Sequence, residues 1–125
     1  MYSLELSGGE KLSVGHRNHL SAFAMDGTLP NPLEAFYAAL AGCAGVYAHK
    51  ACKKLDLDSQ GIAISCRPFA PPGNPLAIRR FKTTVRFPER FTEDQRTAIL
   101  DSIAHCAVKE IVQAGSSIEF EVLGE

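Results

Sequence analysis

Residues 31–55 read NPLEAFYAALAGCAGVYAHKACKKL, and the reading of this stretch decides the fold. Asn31 is a strong N-cap, and Pro32 is tolerated at the first helical position. Glu34 falls in the first turn, where a carboxylate suits the positive pole of a helix. Lys50, Lys53 and Lys54 gather at the other pole. The pattern predicts one helix from about Asn31 to Leu55, roughly 36 Å long. From Leu33 to Ala48 its only charged residue is Glu34. A helix without a polar face must be covered on every side. One small sheet and one further helix cannot enclose such a rod. The chain is therefore expected to form a homodimer that buries this helix about a two-fold axis, its small residues letting another backbone approach closely.

Outward from the helix, the C-terminal half is legible. IAISCRP, residues 62–68, alternates Ile62, Ile64 and Cys66 with smaller or polar residues, which predicts a strand. AIRRFKTTVRF, residues 77–87, predicts another, with Phe81, Thr83, Val85 and Phe87 on one face. FTEDQRTAILDSIAHCAVKEIVQAG reads as a single amphipathic helix, capped by Thr92 with Gln95 completing a capping box. Its stripe is Ile99, Ile103, Cys106, Ala107 and Ile111, and Gly115 ends it. SIEFEVL, residues 117–123, predicts a last strand with Ile118, Phe120 and Val122 facing in. On the N-terminal side, YSLEL and KLSV predict two short strands around the turn SGGE. Residues 15–32 lack a clear period and read as loop. The expected order is β-β-α-β-β-α-β: an α+β domain over residues 1–125, with two long helices packed on a mainly antiparallel sheet.

Composition narrows the function. Apolar residues make up 46% and charged residues 22%, and the net charge is -1. That balance gives no electrostatic reason to expect nucleic acid or an anionic membrane as partner. The first residues lack the basic start and apolar run of a secretion signal, so the protein is expected in the cytoplasm. In a reducing compartment Cys43, Cys52, Cys66 and Cys106 are not expected to be permanent disulfides. No Cys-x-x-Cys pair occurs, and His16 and His19 lie in a polar segment, so neither a metal nor another cofactor is expected.

The long helix constrains its thiols. Cys43 and Cys52 are nine residues apart, two and a half turns, and face opposite sides. They cannot bridge within one intact helix. Tyr47 shares the face of Cys43. A thiol partner for Cys43 in its own chain must be Cys66 or Cys106. Any one of these cysteines, taken alone, reads as a small buried hydrophobe.

NPLEAFYAALAGC, followed by FTEDQRTAILDSIAHCAVKEIV, resembles the OsmC/Ohr family of osmotically inducible and organic hydroperoxide resistance proteins. The resemblance covers the chain from about Asn31 onward. It implies an intertwined homodimer with active sites at the subunit interface. It also implies thiol-dependent reduction of small organic hydroperoxides by Cys43 and Cys106, followed by reduction with a thiol or dithiol. An arginine and a glutamate would assist the first cysteine, and here the candidates are Arg17 and Glu34. Two features depart from the family pattern. Ala107 replaces the usual proline after the second cysteine. Leu33 stands ten residues before Cys43, where the peroxidases carry the glutamate, while Glu34 is nine before it. Activity is therefore expected to be weaker than in dedicated peroxidases. The alternative is a non-enzymatic member that binds a small apolar or sulfur-containing ligand in a dimer cleft.

Overall fold

The computed structural model describes residues 1–124. Its contacts divide the chain into two compact units, Met1–Ala38 and Ala39–Glu125.

The first unit holds an antiparallel hairpin of β1 (Lys11–His16) and β2 (His19–Ala24), with Leu12 opposite Phe23 and Val14 opposite Ser21. Two residues join the strands, and Arg17 takes φ +55 in the left-handed region. The structure corrects the sequence reading at two places. KLSV is a strand, but YSLEL is not: only Ser3 bridges to Gly15. The true partner, HLSAFA, lies in the stretch read as loop. Backbone pairing forms it, and its first four residues are all exposed, so no buried face imprints a period on the sequence.

Helix α1 (Pro32–Lys54) begins as expected. The Glu34 amide donates to Asn31 Oδ1 at 2.8 Å, and the Asn31 amide donates to Glu34 Oε1 at 3.0 Å. This reciprocal pair satisfies two donors that a helix start leaves free.

The second unit contains the body of α1, from Ala39 onward, with β3 (Ala63–Phe69), β4 (Arg80–Arg86), α2 (Glu93–Ala104) and α3 (Ala107–Ala114). Leu40, Ala44, Ala48, Ala51 and Cys52 form the buried stripe of α1. The last four pack with Phe91, Ile99 and Ile103, and Ile64 and Val85 lie against this core. Strands β3 and β4 are antiparallel, with Ile64 opposite Val85 and Cys66 opposite Thr83. Ile62, Ile64 and Cys66 are half-buried while their neighbours are exposed, as the alternation requires.

Three further expectations need correction. The two hairpins are separate two-stranded sheets rather than one sheet. The second long helix is two helices: His105 ends α2, and Cys106, with φ -65 and ψ 143, is the extended N-cap of α3. The break resets the helical phase, so Ile111 is exposed rather than part of the Ile99–Ile103 stripe. Finally, Ile118, Phe120 and Val122 form no strand and are 78%, 92% and 94% exposed. Their alternation is suited to a sheet edge, but no strand among the described residues pairs with them.

Candidate functional site

The helix break at Cys106 is written in its backbone hydrogen bonds. The amides of His105 and Cys106 close tight bonds to Ser102 and Ile103 carbonyls, at 3.1 Å each, which finish α2. Glu110 then donates its amide to the Cys106 carbonyl at 3.0 Å and starts α3. Cys106 is thus held at the corner between two helices. It is 3% exposed. The extended conformation is the one that a following proline would impose, and it forms here with Ala107 in that place.

Helix α1 reaches the same corner. The Ser102 hydroxyl donates to the Tyr47 carbonyl at 3.2 Å. One turn back along α1 stands Cys43, and four residues beyond Ser102 stands Cys106. Cys43 lies near enough to Cys106 to perturb its thiol. The rungs ascend on one helix as they descend on the other, so α1 and α2 run antiparallel. All four cysteines are free.

Burial pushes the Cys106 thiol up from its ordinary range. The Lys109 amide opposes this by favouring the thiolate, and the nearness of Cys43 adds to the rise, while the Lys109 ammonium lowers it. The Lys109 amide faces the sulfur without closing a side-chain cap bond. Cys106 therefore keeps its proton at neutral pH.

Cys106 also lines a cavity of about 700 Å³. Leu40, Ile78, Phe81, Ile103 and Val112 give it an apolar wall, Cys66 adds a second thiol, and Arg79, Arg80 and Lys109 add three cations. The volume suits a small organic molecule, and the few polar groups suit its orientation. Arg80 also stacks on the Phe69 ring, 4.2 Å from its centroid, which orients it at the end of β4. Sequence reading missed Arg79, Arg80 and Lys109. In the sequence Arg79 and Arg80 read as part of a strand and Lys109 as part of a helix, with nothing to join them.

Of the four expected site residues, Cys43 and Cys106 lie near each other. Arg17 lies in the β1–β2 turn, exposed. Glu34 is engaged in the cap of α1 through Asn31. Cys52 is fully buried in the core, and burial pushes its thiol up, with Arg90 opposing and Asp58 reinforcing the rise. Among the described residues no group of three His, Cys, Asp or Glu side chains could hold a metal ion, and no helix is long and apolar enough to cross a membrane.

A family model described as OsmC-like protein matches residues 25–121. Three solved structures share the fold. One is from Psychrobacter arcticus 273-4, described as an osmotic stress induced and detoxification response protein. It has TM-score 0.71 and 13% identity, over 87% of this chain and 85% of that one. An OsmC like protein from Mycoplasma pneumoniae gives TM-score 0.71 and 12% identity, over 90% and 86%. An OsmC-like hydroperoxide resistance protein from Jannaschia sp. CCS1 gives TM-score 0.64 and 14% identity, over 98% and 91%. No curated protein matches the chain.

Proposed function

The chain belongs to the OsmC-like protein family, and from that premise we propose that it is a thiol-dependent peroxidase that reduces organic hydroperoxides through Cys43 and Cys106. The observation that carries this reading is the closeness of Cys43 to Cys106, which itself lines an apolar, cation-bearing cavity. The hydroperoxide resistance of the Jannaschia protein points the same way.

Cys43 is less buried than Cys106 and so the more accessible sulfur. Cys43 attacks the terminal peroxide oxygen as thiolate. The O–O bond breaks, and the alkoxide leaves with a proton as an alcohol. Cys43 is then a sulfenic acid. Cys106 attacks it, water leaves, and a Cys43–Cys106 disulfide forms. Two thiols of an external reductant restore the pair. Arg79 and Arg80 at the cavity can stabilise the charge that develops on the leaving oxygen. The apolar wall favours alkyl over hydrogen peroxide. Cys52 has no part in this chemistry.

The protein works as a homodimer in this proposal. The support is apolar surface that a lone chain leaves exposed on α1, at Leu33, Phe36 and Val46. With Leu33 where dedicated peroxidases carry a carboxylate, the rate is modest. A cytoplasmic location fits a protein that depends on reduced thiols.

Titration of free thiols before and after one equivalent of cumene hydroperoxide tests the reading. Loss of two thiols per chain, abolished by Cys43→Ser, is expected. No loss would overturn it and leave the cavity as a binding site for a small apolar molecule without redox chemistry.

A further inference from the structure

A second cavity lies along the α1–α2 seam. It encloses about 430 Å³ and is lined by Tyr47, Lys50, Lys54, Asp101, Ser102 and His105, among others. The small residues Ala51 and Ala98 keep it open between the helices. It ends at the Tyr47–Ser102 rung, one helical turn from the Cys43–Cys106 pair.

The charges of this groove are unevenly paired. Asp101 faces the His105 imidazole at 3.9 Å. Among the described residues, Lys50 and Lys54 have no ion-pair partner. Lys50 Nζ lies 5.3 Å from the Tyr47 ring centroid, which holds the ammonium over the groove. Two ammonium groups against the single carboxylate of Asp101 leave the groove net positive beside an apolar floor, which suits an anion with some apolar body.

Distance specifies more. Lys50 is seven residues beyond Cys43 on the same face of α1, about 10.5 Å along the axis. A molecule with a carboxylate at one end and a thiol at the other spans this gap if it is about three residues long, since an extended chain covers roughly 3.3–3.6 Å per residue.

We propose that the α1–α2 groove is the docking site for the reductant, a low-molecular-weight thiol bearing a carboxylate, which Lys50 and Lys54 hold by its anionic end. The proposal rests on the Cys43–Cys106 dithiol of the preceding subsection. The bound thiolate attacks Cys43, the more exposed sulfur. The Cys43–Cys106 bond breaks, and Cys106 leaves as a thiolate against the Lys109 amide, then takes a proton. A mixed disulfide stands at Cys43. A second external thiolate attacks its outer sulfur, releases Cys43 and yields the external disulfide. Two electrons pass from two thiols to one bridge. Cys106 lines the hydroperoxide cavity, while the groove stops at Tyr47 and Ser102, one turn short of the thiols, so substrate and reductant need not compete for one opening.

The test starts from the full chain oxidised with diamide, so that it does not depend on peroxidase activity. Bridge reduction is timed with glutathione, an anionic probe, and with 2-mercaptoethanol, a neutral one. The wild type and the Lys50→Glu/Lys54→Glu variant are compared. The ratio of the glutathione rate to the mercaptoethanol rate is expected to fall about tenfold in the variant and to fall with added salt in the wild type. Cysteamine, which is cationic, is expected to reduce the variant faster than the wild type. An unchanged ratio overturns the proposal, as does failure of diamide to form the bridge. A bridge that forms with diamide and not with cumene hydroperoxide, together with the expected ratio, would sink the peroxidase reading and uphold the groove.

Discussion

The Ser102 hydroxyl donates to the Tyr47 carbonyl at 3.2 Å, one helical turn from the place where Cys106 lies near Cys43. This bond fixes how far α1 and α2 can slide along each other. Thiol pairing demands such a fix, because a disulfide tolerates little displacement between its α carbons.

Ser102→Ala is expected to slow formation of the Cys43–Cys106 bridge severalfold and to cost about 1 kcal/mol of stability. Diamide oxidation followed by peptide mapping measures the first, and urea unfolding the second. A bridge at Cys52 in any of these maps would contradict its burial in the core.

Removal of the cavity arginines is expected to act on rate. Arg79→Ala/Arg80→Ala should lower the rate of thiol loss with cumene hydroperoxide about tenfold, the effect of roughly 1.4 kcal/mol in the barrier. Oxidation by diamide serves as the reference reaction in the same preparations. A rate equal to that of the wild type would show that neither guanidinium stabilises the transition state.

Stability is expected to fall at alkaline pH. Burial raises the thiols of Cys52 and Cys106 above their ordinary range. Below about pH 8.5 these thiols are neutral in both folded and unfolded chains, and they contribute no pH dependence. Above it the unfolded chain ionises first and binds fewer protons, so the equilibrium shifts toward unfolding. Urea midpoints at pH 7.5 and pH 10, with reductant present, measure this. Cys52→Ala should show a shallower loss than the wild type.

The turn before β3 is expected to reject a side chain. Gly61 has φ +89, and a Cβ there would meet Pro88 Cγ at 2.9 Å. The Arg90 guanidinium binds the Asp58 carbonyl at 2.9 Å and the Gln60 carbonyl, which holds this turn in place. Gly61→Ala should destabilise the protein by about 1–3 kcal/mol in urea unfolding. The strain and the clash act together there.

Inside the core, Cys52→Ser is expected to cost about 1–3 kcal/mol, since the hydroxyl would be buried among Ala48, Phe91 and Ile99. Thermal unfolding of Cys52→Ser beside Cys52→Ala separates the polar cost from the loss of the sulfur.

Local signals made much of this protein legible from its sequence. The Asn31–Glu34 and Thr92–Gln95 pairs each announce a helix start, because capping needs only residues three apart. The alternation in β3 and β4 is visible because one face is buried and a strand turns over every residue. Cys43 and Cys106 stood out through the motifs around them, and each motif lies within one segment of chain.

Only the tertiary structure decided the rest. The break at Cys106 depends on how α2 ends against α1, and no residue there is a strong helix breaker. The place of Arg79, Arg80 and Lys109 around one cavity joins a loop, a strand and a helix far apart in sequence. Ile118, Phe120 and Val122 carry the pattern of a strand, yet they form none, because a strand is completed by a neighbour and not by its own sequence. Period and capping are properties of a few successive residues, so sequence determines them. Cavities, charge clusters and strand pairing are agreements between distant segments, and they exist only once the chain has packed.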